Sequence, residues 1–503
     1  MKEKFYLTTA IAYPNSKPHM GHFLEFIEAD ALARFKKMKG YDTFLLTGTD
    51  EHGSKMVEKA KELHMTPQEL ADQNVPIYQQ LKTSLDFDYT AFIRTTEERH
   101  IKTAQEIWMK IYDKGDIYKQ QYKGLYCVGC EAFKTEKDLI DGKCPDHDKP
   151  PIFLEEENYF FRLSKYADLL IEKLESGELE VVPEFRKNEM INVIRGGLLD
   201  VSFSRPKTSL AWGIEVPNNS NHVMYVWCDA LTNYLSGIGY SDNPKQFAQY
   251  WPADVHIIGK DISRFHALIW PAMLLSADLA LPKKIFIHEF VTSKGKKMSK
   301  TMGNIVDPFV VMERYGSEAL RFFLLKETVM GGDIDFTWPR FHNTYEAELV
   351  NGIGNLVNRV IVITQKYLVG RVPRVYKDKE IEQMIRQAWR DYEIFFDQYD
   401  FKTALESCLN LVYFSNRYIT ENAPWNLFKQ DQEKFKQVIF ILLEILANVA
   451  LMLYPFIPRT SLKIQKALGV NMEKLTIPYG KVREGFRVEP IGILFPKLED
   501  KSS

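Results

Sequence analysis

Ala12 to Asp30 read AYPNSKPHMGHFLEFIEAD: two histidines either side of a glycine, after a proline and before a run of helix formers. The preceding KFYLTTAIAY, Lys4 to Tyr13, is rich in aromatic and β-branched residues, and Pro14, Asn15 and Pro18 punctuate the residues after it. The order is therefore strand, loop, helix. A helix opening at about Pro18 puts His19, Gly21 and His22 in its first turn, where unpaired backbone N–H groups and the helix dipole favour an anion. Spacing of three sets the two rings side by side, and Gly21, lacking a Cβ, lets a ligand approach the backbone. The arrangement suits a phosphate or a nucleotide; alone, it also fits two surface histidines at a helix start.

Outward from this stretch, strands and helices alternate as far as about Lys114: DTFLLTGTDEHG, a helix from Ser54, another from Thr66, then ERHIKTAQEIWMKIYDKG. That alternation implies a parallel sheet. A cysteine-bearing segment of irregular periodicity, Asp116 to Asn221, interrupts it before VHIIGKDISRFHALIWPAMLLSA resumes with a strand and a helix. The fold class is thus α/β, a Rossmann-type domain split by an insertion, followed from about Phe341 to Leu468 by an α-helical bundle. The corresponding divisions are 1–115 and 222–290 for the two halves of the α/β domain, 116–221 for the insertion, 291–340, 341–470, and a tail over 471–503. No G-x-x-x-x-G-K-[ST] is present, and GIGNLV at Gly352 lacks the third glycine and a preceding strand, which argues against a P-loop ATPase or a nicotinamide enzyme. Ligands of open α/β sheets bind beyond the carboxyl ends of the strands, where the first strand delivers Ala10 to Tyr13 and the histidine pair.

A chain of 503 residues with 45% apolar content holds about three domains. Its 65 basic and 67 acidic residues leave a net charge of −2, so any nucleic-acid site must be local. Five cysteines form no dense framework and MKEKFYLTTA lacks the apolar run of a signal peptide, so the expectation is a reducing, cytoplasmic setting. VIFILLEILANVALMLYPFIP, Val438 to Pro458, is nearly long enough to span a bilayer, but Glu444 and Asn448 interrupt it. A buried core helix accommodates both at lower cost, and no membrane partner is expected.

KGKKMSKTMGN, Lys294 to Asn304, packs four lysines and two glycines into a loop after a strand, suited to closing over polyphosphate. With HMGH upstream, the chain resembles the class I aminoacyl-tRNA synthetases, whose HIGH and KMSKS motifs match HMGH and KMSKT; Met20 and Thr301 are the departures. Within that class the chain resembles the methionyl-tRNA synthetases more closely, through TGTDEHG, GLYCVGCEAF, VMYVWCDALTNY, IIGKDISRFHALIWPAML and NRYITENAPWNLF. It implies activation of L-methionine with ATP and Mg²⁺, then transfer to tRNA(Met). His19, His22, Lys297 and Lys300 would be catalytic, with Gly21, Lys260 and Asp261 also at the ATP. Ile11, Tyr13, Trp227, Ala230, Tyr234, Ile262 and His266 would form the methionine pocket, and Asp50 would bind the ammonium. A thioether side chain gains affinity from burial and sulfur–aromatic contact. Within the helical domain, Asn355, Arg359 and Trp425 match the anticodon-reading positions.

Cys127-x₂-Cys130-x₁₃-Cys144-x₂-His147 reads as one zinc knuckle. Its four ligands close a tetrahedral shell, so one Zn²⁺ per chain would be structural. The competing readings are another class I synthetase, a nucleotidylyltransferase sharing the HIGH signature, or a non-catalytic tRNA-binding paralogue. The position of the knuckle, the helical domain and the intact motifs respectively oppose them. Without an oligonucleotide-binding extension, the chain is expected to act as a monomer.

Overall fold

The computed structural model describes residues 2–127, 132–134, 136–145, 148–298, 303–470 and 480–498. At its centre are six parallel strands: β1 (Lys4–Thr9), β2 (Asp42–Thr49), β3 (Ala91–Arg94), β4 (Glu180–Val182), β5 (Val255–Gly259) and β6 (Lys284–His288), in the order β3-β2-β1-β5-β6-β4. Strands β1 and β5 lie side by side, with Leu7 opposite Val255. To one side of that junction the chain runs β1 to β2 to β3, and to the other through β5 and β6. The crevice at this reversal is where such sheets bind ligands.

Both faces of the sheet are covered, which explains why β1 and β5 read as near-continuous apolar runs rather than alternating ones. Successive side chains still separate by face. Phe5, Leu7, Leu45, Ile257 and Phe286 join the core beneath helix α1 (Met20–Met38), whereas Tyr6, Phe44, Leu46, Ile258 and Ile285 pack against Trp270 and the Glu98–Asp113 helix.

Helix α1 begins at Met20, not at about Pro18: His19 is its N-cap, with φ −103° and ψ 177°. The insertion also differs from its reading as a separate unit. Its outer part is an antiparallel hairpin of Ile117–Cys127 with Ile152–Phe161, but the chain then returns and supplies β4, which pairs with β6 at the sheet edge. Three residues are too short to register as a strand in the sequence, and the partner lies about a hundred residues on.

From Trp338 the chain is helical as far as Leu468, apart from connecting loops. The apolar helix Gln432–Met452 has 89% of its most apolar window buried. Glu444, fully buried within it, accepts hydrogen bonds from the Lys481 and Val482 backbone N–H groups at 2.8 and 3.1 Å. It is a core helix, as the two polar interruptions implied.

Candidate active site

The site is assembled from loops at the carboxyl ends of β1, β2, β5 and β6. Strand β1 ends in a segment that crosses to β2: Ala12 N–H donates to Gly48 O, and Asp50 N–H to Ala12 O at 2.9 Å. The residue between Ile11 and Tyr13 is thereby paired with the backbone of Asp50.

The two histidines cap the helix and each other. His22 Nδ1 accepts the His19 backbone N–H at 3.2 Å, and His19 Nδ1 accepts the Gly21 N–H at 3.1 Å, a reciprocal capping box built from imidazoles. The rings stack at 3.8 Å and 18°. Because each Nδ1 accepts, each ring carries its proton on Nε2. Burial and the neighbouring His19 and His288 hold His22 well below the usual imidazole range, so it is a neutral donor at physiological pH. A Cβ at Gly21 would lie 3.1 Å from the His19 ring, so glycine here makes room for that ring as well as for a ligand. Met20 is buried and belongs to the core, which is why an apolar residue stands inside the motif.

One turn further on, Glu25 accepts the Ala10 N–H at 2.7 Å and faces His288 Nε2 at 3.1 Å, while His288 Nδ1 faces Glu289 O at 2.9 Å. Burial opposes the His288 charge, but the Glu25 hydrogen bond and the Glu25 and Glu28 carboxylates outweigh it and lift the group to about 9. One carboxylate thus joins the segment after β1, the histidine helix and the strand leading to KMSKT. Sequence reasoning missed it, although its spacing of three from His22 was visible.

Of the residues expected around the side chain, Tyr234, His266 and Ile262 are linked by hydrogen bonds, and Trp227 stacks on a ring the sequence reading did not include. Trp227 stacks on Phe265 at 3.6 Å and 10°. His266 Nδ1 donates to Ile262 O at 3.0 Å, which leaves Nε2 to accept the Tyr234 hydroxyl at 2.7 Å. Burial depresses this imidazole to about 4, so it stays neutral and suits an uncharged side chain. Ala230 is buried on the short helix Val226–Ala230 that also carries Trp227.

Lys260 is committed to carboxylates, at 2.6 Å from Asp333 and 2.8 Å from Glu289, and Glu289 also pairs with Arg186 at 2.6 Å. Asp261, on the same turn after β5, has Oδ1 2.9 Å from where a Gly259 Cβ would stand. Lys297 lies on a short strand paired with Val291–Ser293, 5.2 Å from the Phe290 ring. Lys300 lies outside the described residues.

Of the residues expected to bind zinc, Cys130 and His147 also lie outside the described residues. Cys127 ends its strand and Cys144 opens a turn in which Asp148 N–H donates to Cys144 O at 2.8 Å; both thiols are buried. Among the described residues no three ligands form a cluster. In the helical domain, Asn355 Nδ2 donates to Asn416 Oδ1 at 3.2 Å, and Arg359 follows one turn later on the same helix. Trp425 stands 41% exposed at the start of Pro424–Gln430.

The profile described as tRNA synthetases class I (M) matches residues 5–149 and 135–361, and that of the anticodon binding domain of methionyl tRNA ligase matches 373–503. The methionine--tRNA ligase of Caldanaerobacter subterraneus is 43% identical over 99% of this chain and 80% of its own length. That of Brucella suis is 43% identical over 94% and 93%. Among solved structures, Mycobacterium tuberculosis methionyl-tRNA synthetase in complex with methionyl-adenylate superimposes with a TM-score of 0.94 at 38% identity, covering 98% of this chain and all of that one.

Proposed function

The chain belongs to the methionyl-tRNA synthetases, and on that premise we propose how its residues divide the reaction. The enzyme activates methionine with ATP to methionyl adenylate and pyrophosphate, then transfers methionine to the terminal adenosine of tRNA(Met). The observation that supports the site assignment is the capped histidine pair on the helix that follows β1, at the reversal point of the sheet.

In the first step a methionine carboxylate oxygen attacks the α-phosphorus of magnesium-bound ATP and pyrophosphate leaves. Charge grows on the phosphate oxygens, and the neutral Nε2–H donors of His19 and His22 stabilise it without any proton transfer. Gly21 keeps the helix start accessible. Lys297 and Lys300 follow the negative charge onto the departing pyrophosphate. Lys260 and Asp261 complete the nucleotide site from β5, Lys260 exchanging one of its carboxylate partners for the ligand. Asp50 takes the methionine ammonium, and Ile11, Tyr13, Trp227, Ala230, Tyr234, Ile262 and His266 surround the side chain.

One zinc ion would be held by Cys127, Cys130, Cys144 and His147 of the insertion. Two buried thiols, Cys127 at a strand end and Cys144 at a turn, fit two of the three thiolate positions of such a shell. Bound there, the metal would supply a cross-link within the insertion. Asn355, Arg359 and Trp425 read the anticodon.

Amino-acid-dependent ATP–pyrophosphate exchange across all twenty amino acids tests the substrate assignment. Methionine alone should support rapid exchange, and a higher kcat/KM for any other amino acid would overturn it.

A further inference from the structure

The helix Val226–Ala230 has five residues and no side-chain cap, too few to hold its own geometry. Yet it carries both Trp227 and Ala230, three apart and assigned above to the pocket. What fixes it is the residue between them. Asp229 is fully buried, and its two oxygens are each taken by an imidazole from a different part of the fold: Oδ2 lies 2.7 Å from His52 Nδ1, and Oδ1 lies 2.7 Å from His100 Nε2. Burial pushes the carboxyl up, but the two imidazoles outweigh it and hold Asp229 below the usual carboxylate range. An ionised carboxylate only accepts, so His52 donates from Nδ1 and His100 from Nε2.

His52 is two residues from Asp50, and the segment between them is immobilised. Glu51 accepts from the Thr49, Arg94 and Thr96 side chains, donates its backbone N–H to Thr95 Oγ1, and accepts the Trp212 indole N–H at its carbonyl. His52 therefore joins two rigid pieces: the end of β2, which carries Asp50, and the short helix, which carries the pocket wall.

We propose that His52 and Asp229 are positioning residues that set the separation between the Asp50 carboxylate and the pocket at Trp227 and Ala230. In doing so they set the length of amino-acid side chain the enzyme admits. The proposal rests on the pocket reading above. Neither residue touches methionine in it; they act by fixing the distance between the groups that do.

The test uses pyrophosphate exchange by the full-length enzyme with methionine, with ethionine, one methylene longer, and with S-methylcysteine, one shorter. His52→Ala should raise the methionine KM by about tenfold to a hundredfold, the scale of an ångström-level misplacement. The methionine-to-ethionine ratio of kcat/KM should fall with it, while the KM for ATP stays within about twofold. His52→Asn should restore most of the discrimination, because the asparagine amide nitrogen occupies the place of Nδ1; His52→Gln, which reproduces Nε2, should not. If His52→Ala does not fold, the Asn and Gln pair decides.

An equal loss of kcat for all three amino acids, with the ratios unchanged, would reduce His52 to a structural role and overturn the proposal. Equal behaviour of the Asn and Gln variants would do the same. Asp50→Asn separates the two levels. If it leaves the methionine KM unchanged, the pocket reading itself fails; if it raises the KM while His52→Ala does not, only the positioning role fails.

Discussion

His22 serves two purposes through two nitrogens, and a substitution can part them. Nδ1 caps the helix by accepting the His19 N–H at 3.2 Å, and Nε2 is left as the donor toward ligand. In His22→Asn the amide oxygen can still take the place of Nδ1 and preserve the cap, while nothing replaces Nε2–H. Loss of one preorganised donor to developing charge costs about 10²–10³ in kcat. Pyrophosphate exchange should therefore show that fall, with a methionine KM within a few-fold of normal and an unchanged thermal midpoint. A wild-type kcat in His22→Asn would remove this imidazole from the chemistry. The histidine pair was legible because its signal is local: proline, helix formers and two rings three apart. The His52–Asp229 contact was not, since 177 residues separate its partners and no periodicity announces a buried carboxylate on a five-residue helix.

Elements are tied to one another by single charged contacts, and the Glu25–His288 pair is one whose pH dependence has a definite sign. His288 sits at about 9 in the folded protein against about 6.5 in an unfolded chain. A group raised on folding contributes stability that is fully present below about pH 6.5 and is lost as pH rises through about 9. The groups facing it are Glu25 and Glu28 on α1, His22 one turn earlier, and the Glu289 carbonyl. Wild-type unfolding free energy should thus fall by about 1–3 kcal/mol between pH 7 and pH 10 from this pair. Glu25→Gln should be less stable at pH 7 and lose less over the same interval. Parallel denaturant titrations at the two pH values check this; identical slopes with pH in both proteins would assign the dependence elsewhere. Most elements around this tie were readable from alternation and turn residues. Strand β4 was not, because its three residues owe their conformation to β6, and neither was the exact start of α1, because histidine is not among the usual capping residues.

At the scale of the molecule, the helical domain is not an appendage. One continuous apolar core runs from the α1 face of the sheet into the bundle, with Phe35 on Phe396 at 4.4 Å and Phe286 on Tyr399 at 4.9 Å. Asp30, on the histidine helix, pairs with Arg34 and with fully buried Arg321, which also donates to Pro455 and Phe456 carbonyls in the bundle. The switch to unbroken helical periodicity marked the domain in the sequence, but a shared core leaves no such trace. The consequence is that a substitution in the bundle can damage either tRNA reading or the fold, and two assays are needed to tell which. Trp425 suits the comparison because it is exposed, at 41%, beside Pro424 at the start of its helix, where removal of the ring leaves no cavity. Stacking of a base on such a ring contributes roughly 1–3 kcal/mol. Trp425→Ala should therefore lower kcat/KM for aminoacylation of tRNA(Met) by about one to two orders of magnitude, while methionine-dependent pyrophosphate exchange, which needs no tRNA, stays near normal. If both reactions fall together, Trp425 supports the joint between domains; if neither changes, the anticodon is read by other residues of the bundle.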